Sequence, residues 1–259
     1  MTLPDPQPAA TPVLSFTQAA ALTALRSFLL GVLPAGTPVI RGQDNRVPEP
    51  TADDFVVFTP MQMIRIGTND TTYYDDVLTG DVVDTTLTVT AIDKLDLGLT
   101  TGMLLLDAEY PTMNLAVGTV IVTQLTGSLG GTGTYSVLPT QTVASETMYA
   151  GSRVDLAQTE MSVQIDVHGP ESGNNVHVIE TLFRSEYAVD VMNASGISVV
   201  PMFCSDPRQA PFVNDQNQVE FRWSLDAHLQ INSTVRTPQQ FLTEVDLAVI
   251  EAATQYTGP

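Results

Sequence analysis

The chain of 259 residues has one cysteine, Cys204, one lysine, Lys94, and ten basic residues in all. A lone cysteine excludes an intrachain disulfide and a cysteine-rich zinc module. Ten cations against 29 acids leave a net charge of −19 and a pI near 4.1. Tight DNA binding replaces condensed counterions with Lys and Arg side chains, so sequence-specific DNA recognition is disfavoured. The acidity fits two readings: solubility of a concentrated protein, or a passage through which DNA slides because like charge repels its phosphates. Long apolar runs are missing too. The stretch Ala19–Leu33 is cut by Arg26 and Gly31 and is too short to span a bilayer. Met1–Ala10 lacks the cationic start and apolar run of a signal peptide, so a soluble protein assembled in the cytoplasm is expected.

Catalytic groupings are equally scarce. No G-x-S-x-G elbow occurs. The glycine-rich GSLGGTG lacks the Lys-Ser/Thr of a phosphate-binding loop and reads as a hairpin turn. His168 and His228 each follow an aspartate by two residues (Asp166, Asp226) on polar strand faces. If those strands paired in the right register, two imidazoles and two carboxylates would form a metal site; otherwise they are solvated or inter-subunit polar residues. His177 sits early in a helix as a structural residue, and Cys204 in PMFCSDP reads as a buried thiol. No catalytic residue, cofactor or metal is therefore expected.

What the chain does have is enough apolar character, 43% of residues, to bury a core. Four prolines within residues 1–14 favour an extended arm. A helix should follow, with Ser15 and Gln18 at capping-box spacing, an apolar stripe of Phe16, Ala20, Leu22, Leu25, Phe28 and Leu29, and Gly31 as its end. Residues 34–50 read as a Pro- and Gly-rich loop. Strands are predicted over Asp54–Ile66, Glu160–His168, Val219–Asn232 and Phe241–Ile250 from their period-two alternation. A second helix should begin at Pro170 and Ser172 and bury Val176, Ile179, Phe183, Tyr187 and Met192. Residues 82–150 differ: short β-prone runs punctuated by glycine suggest a small all-β module. The expected fold class is α+β, an antiparallel or mixed sheet flanked by helices with an inserted small all-β domain. The expected limits are an arm at 1–14, the α+β domain at 15–81 and 151–259, and the insert at 82–150.

Two loops stand out as candidate contact surfaces. One carries Arg41, Asp44, Asn45 and Arg46 between prolines; the other, SDPRQAPFVNDQ, carries Arg208 and Phe212. Arg and aromatic residues are frequent interface anchors, and Arg222 on the polar face of the long strand joins them. The alternative is that these loops wrap the domain.

RGQDNRVPEP followed by DDFVVFTPMQMIRIGTN resembles the start of the phage neck terminator family. QIDVHGPESGNNVHVIETLFRSEYAVDVM, DPRQAPFVNDQNQVEFRWSLDAHLQIN and TPQQF resemble its second half, in the same order. The resemblance covers residues 36–75 and 155–250. The Gly/Thr-rich stretch (GGTGTYSV and QTVAS) is similar to a β module that recurs in phage structural proteins, which suggests decoration of an exterior. The family resemblance implies a tail-terminator-like fold and a non-enzymatic virion protein forming a ring, six-membered in expectation, at the head-proximal end of the tail. Its implied partners are the tail tube and sheath, the head-tail connector or adaptor, and genomic DNA in the lumen. A head-side stopper ring of the same neck, or a surface-binding module carried by the insert, remains the alternative.

Overall fold

A computed structural model of the chain describes residues 12–43, 50–94, 98–108, 114–210, 212–213 and 219–238. Two compact bodies divide it. The framework body comprises Pro12–Thr72 and Val154–Arg236, and the second body contains Tyr73–Arg153.

Within the framework, the chain enters as a two-residue strand β1 (Val13–Leu14) and helix α1 (Gln18–Val32). Thr17 caps α1, its hydroxyl accepting the Ala20 N–H at 3.3 Å. Ser15 is not the cap; its hydroxyl accepts from the Thr234 N–H at 2.9 Å instead. Gly31 does not end the helix either. It lies inside α1, where a Cβ would come within 2.9 Å of the Tyr187 hydroxyl, so its smallness serves helix packing. The edge strand β2 (Val39–Arg41) runs parallel to β3 (Phe55–Arg65), pairing Val39 to Arg41 with Val56 to Phe58. The last part of β7 (Gly133–His168) pairs antiparallel with β3, from Phe55↔His168 to Arg65↔Thr159.

Helices α2 (Ser172–Phe183) and α3 (Glu186–Asn193) replace the single second helix expected from the sequence. The break falls at Arg184 and Ser185, where the Ser185 hydroxyl caps α3 by accepting the Tyr187 N–H. Gly169, at φ +103°, is needed before α2: a Cβ there would strike the Asp53 carbonyl and the Asp54 carboxylate. Beyond α3 come β8 (Val199–Cys204), the two-residue strands β9 (Arg208–Gln209), β10 (Phe212–Val213) and β11 (Val219–Glu220), and β12 (Arg222–Pro238). β12 lies between β7 on one side and β8, β9 and β1 on the other. The contacts Arg222–Asp166 and His228–Glu160 show β12 running antiparallel to β7.

The framework core gathers Leu25, Phe28 and Leu29 of α1, Ile179 and Phe183 of α2, and Ala188 and Met192 of α3. Against them pack Val56 and Phe58 of β3, Met161 to Val167 at every second position of β7, and Leu225 to Ile231 likewise of β12. All three helices therefore share one sheet face. Burying each large apolar side chain contributes about 1.5–3 kcal/mol. The aromatic edge of Phe183 meets Phe28 at 5.7 Å and 76°, a favourable T-shaped geometry.

The second body holds most of β4 (Asp70–Lys94), then β5 (Leu105–Asp107), β6 (Val120–Gly127) and the first part of β7. β5 and β6 both pair antiparallel with β7. The β6–β7 hairpin closes at Gly127↔Gly133, where a Cβ on either glycine would collide with the facing backbone. Its core contains Leu78, Leu87, Met103, Ile121, Tyr135 and Met148.

The α+β expectation is overturned. Among the described residues, three helices of 15, 12 and 8 residues stand against strands of 25 and 36, so the chain is mostly β with a large mixed sheet. The physical reason is that β4 and β7 continue through long Thr-, Ser- and Gln-bearing stretches. Apolar alternation shows only in short runs there, such as Leu87 and Val89 or Tyr135 and Val137, so the sequence reads as short strands where the ladder runs on unbroken. The predicted strand over Phe241–Ile250 lies outside the described residues, as does most of the arm at 1–14.

Candidate functional site

Seven interface residues were expected from the sequence; of the four described, Arg208, Phe212 and Arg222 fall on strands around the start of β12, and Arg41 lies on the edge strand β2. Asp44, Asn45 and Arg46 lie outside the described residues. Arg41 ends β2 at the sheet edge and is half-buried. Phe212 lies in β10, whose Phe212↔Glu220 pairing forms a two-stranded ribbon with β11.

Arg208 and Arg222 are already engaged within the chain. Arg222 Nη2 donates to Asp166 Oδ1 at 2.8 Å and its Nε to the same oxygen at 3.0 Å, while Gln164 Nε2 donates to both carboxylate oxygens at 3.0 Å. The Asp166 side chain is only 9% exposed, so Arg222 neutralises a nearly buried acid. Arg208 Nη2 reaches Asp226 Oδ2 at 3.1 Å on the exposed surface. These bonds come from antiparallel register, β12 on β7 and β9 on β12, which sequence alone did not supply.

The same register disperses the conjectured two-histidine grouping. His228 Nδ1 sits 2.6 Å from Glu160 Oε1 and its ring stacks on Phe203 at 4.2 Å. His168 stacks on Phe55 at 4.5 Å and 6°. The two aspartates that were to complete a metal site are the ones held by Arg222 and Arg208. Among the described residues no group of three or more His, Cys, Asp or Glu is arranged to hold a metal.

Cys204 is buried beside Arg184, whose Nε donates to its Sγ at 3.4 Å. Arg184 also donates from Nη2 to the Cys204 carbonyl at 2.9 Å and to Asp206 at 3.0 Å, and from Nε to Glu180 at 3.0 Å. Burial pushes the Cys204 thiol up, and this outweighs the lowering by Arg184. A neutral thiol is a poor nucleophile. Cys204 therefore works as packing under an arginine that ties α2 to the end of β8.

One cleft of about 510 Å³ opens on the framework, lined by Asp53, Phe55, His168, Pro170, Glu220 and Phe221 among others. Its Phe55–His168 stack offers an apolar floor, and Phe221 is 53% exposed at its rim. Phe221 interrupts the alternation expected to bury it, because the strand breaks there between β11 and β12. A concave apolar and acidic surface of this kind suits a protein side chain better than a phosphate.

Sequence reasoning missed a different group. Arg26 on α1 donates to the Val39 carbonyl at 3.0 Å, and Arg65 at the end of β3 donates to the Gly67 carbonyl and to Asn69. With Arg41, they have no carboxylate partner among the described residues. Arg41 was among the expected contact residues; for Arg26 and Arg65 the one signal in the sequence is that no Asp or Glu occurs from Pro6 to Gln43 or from Phe55 to Asn69.

No helix among the described residues is long and apolar enough to cross a membrane. No curated protein matches the chain. Among solved structures, a non-toxic crystal protein from Bacillus thuringiensis is 12% identical, covering 85% of this chain and 97% of its own. Its TM-score of 0.09 is too low to argue a shared fold. A family model described as phage neck terminator protein matches residues 117–255. The match takes in β6 and all of β7, so it reaches into the second body as well as the framework, and it leaves out the resembling segment at 36–75. It spans more than half of the chain, which therefore belongs to the phage neck terminator family, whose role in the virion is structural rather than enzymatic.

Proposed function

We propose that copies of this chain close into a ring, six-membered in expectation, on the head-proximal end of the phage tail. One ring face receives the last tube subunits. The other refuses a further tube ring and accepts the head-tail connector, so termination is discrimination at an interface. DNA passes through the centre. The observation that carries this reading is membership of the neck terminator family over residues 117–255. The net charge of −19 supports an unsticky lumen, because acid surfaces repel phosphates. Residues 82–150 are assigned to the ring's exterior as decoration, and assembly to the host cytoplasm.

The competing position is the head-side stopper ring of the same neck. Purified protein mixed with polymerising tail-tube subunits separates the two. The terminator reading expects tubes capped at one end and shortened as the protein is added. Tubes of unchanged length with uncapped ends would contradict it.

A further inference from the structure

The framework distributes its arginines unevenly. Arg184, Arg208 and Arg222 each hold a carboxylate of the same chain, and all three lie toward β8, β9 and β12. Arg26, Arg41 and Arg65 hold none among the described residues, and they lie on α1, β2 and β3 at the other side of the sheet. Gln18 at the start of α1 contacts Met63 at 3.8 Å, and Arg26 further along reaches β2, so α1 follows this edge.

The two segments that build this side carry no acid of their own. No Asp or Glu occurs from Pro6 to Gln43 or from Phe55 to Asn69, in a chain that has 29. It is apolar as well. Met61, Met63, Ile64 and Ile66 are between 46% and 59% exposed, and alternation sends Met63 and Ile64 to opposite faces. Beyond Phe58 the outer edge of β3 has no strand partner among the described residues.

The opposite side has the complementary character. β8 pairs only with β12 among the described residues, and Val200, Met202 and Phe203 are 37% to 48% exposed on it. α3 packs over β8 and carries Glu186 and Asp190, one turn apart and exposed, with no cation partner among the described residues.

We infer that these two sides are the head and the tail of one subunit contact. The α1–β3 side of one copy seats on the α3–β8 side of the next. The inference rests on the ring reading and names the surfaces that reading needs. A head-to-tail contact joins two different patches and closes a ring when its rotation permits. An open strand edge with apolar side chains is a pairing liability unless a partner covers it. Charge selects which partner. Copies with a net charge of −19 repel one another over most of their surface. They attract where segments that carry arginine and no acid meet an acidic face.

Full-length chains with Arg26→Glu and Arg65→Glu, with Glu186→Arg and Asp190→Arg, or with all four test this by sedimentation and electron microscopy. The positions are exposed, and an unchanged thermal melt shows that each variant folds. Each two-residue reversal should raise the concentration at half-assembly about tenfold or more, and the four-residue exchange should recover much of that loss. Reversed variants that ring like the parent, or a four-residue exchange no better than either pair, would overturn the assignment. Variants that form normal rings yet no longer cap tubes would overturn it in favour of a tube-protein occupant. A chain ending at Pro238 that assembles more tightly than the whole would overturn it in favour of the chain's own C-terminal residues. If the parent protein itself forms no ring, alone or on tubes, the ring reading fails instead.

Discussion

The two bodies close their cores in different ways. In the framework, three helices lie on one sheet face, and large side chains such as Phe28, Phe183 and Met161 are shared between layers. In the second body no helix is present among the described residues, and polar side chains pin the loops that cover the core. Gln141 accepts the Ala116 N–H at 2.7 Å and donates to the Thr119 hydroxyl at 2.7 Å. Asp107 accepts the Asn114 N–H at 2.7 Å, and the Tyr135 hydroxyl donates to the Gly131 carbonyl at 2.5 Å. Both bodies bury an apolar core, but helices cover it in one and hydrogen-bonded loops and strands in the other.

The sharpest way to break this comparison is Phe28→Ala. It leaves a cavity between α1 and α2, and should destabilise the framework by about 3–5 kcal/mol. Calorimetry should show one transition moving down while the transition of the second body stays. A common shift of both would mean that the bodies unfold as one unit. Arg222→Ala comes next, because it strands the nearly buried Asp166 carboxylate. A loss of about 2 kcal/mol is expected in denaturant melts, and a change below measurement error would refute the importance of that pair.

Gln141→Ala should cost the second body about 1 kcal/mol through two lost hydrogen bonds, with the framework transition unmoved. Equal movement of both transitions would count against local pinning. Arg208→Ala should change stability least, by less than about 1 kcal/mol, since its pair with Asp226 is exposed. Cys204 offers a chemical readout. Because its thiol is pushed up, the reactive thiolate is scarce at neutral pH and grows as pH rises. Alkylation of the folded protein should be slow at pH 7 and fast only after denaturation. Rapid labelling at pH 7 would contradict the buried assignment.

Legibility followed the apolar period. The half of β12 from Leu225 to Ile231 was readable because every second side chain is apolar and buried, whereas β3 buries Phe55, Val56 and Phe58 and leaves its end from Met61 to Arg65 exposed. Val219 and Phe221 continue that pattern in sequence, yet are 63% and 53% exposed, because the strand breaks at Phe221. The strand predicted at 160–168 is the end of a 36-residue one whose earlier part alternates only in short runs, at Tyr135 and Val137 and again at Met148 and Ala150. That hidden length is why the helix-flanked expectation failed. The split of the second helix was within reach, since Ser185 before Glu186 is a capping signal overlooked in a continuous apolar stripe. For the candidate surface, Arg41 was readable as an edge residue of a turn-rich loop. The pairing of Arg208 and Arg222 depends on strand register and could not be read from sequence, whereas the absence of local acids around Arg26 and Arg65 is visible there.

The most direct test of the central claim is a side-chain-resolution image of the intact virion neck. The account predicts a closed ring of this chain between the connector and the last tube ring, with DNA in its lumen. Density for the chain at the capsid surface or on a fibre, with no ring at the neck, would contradict it.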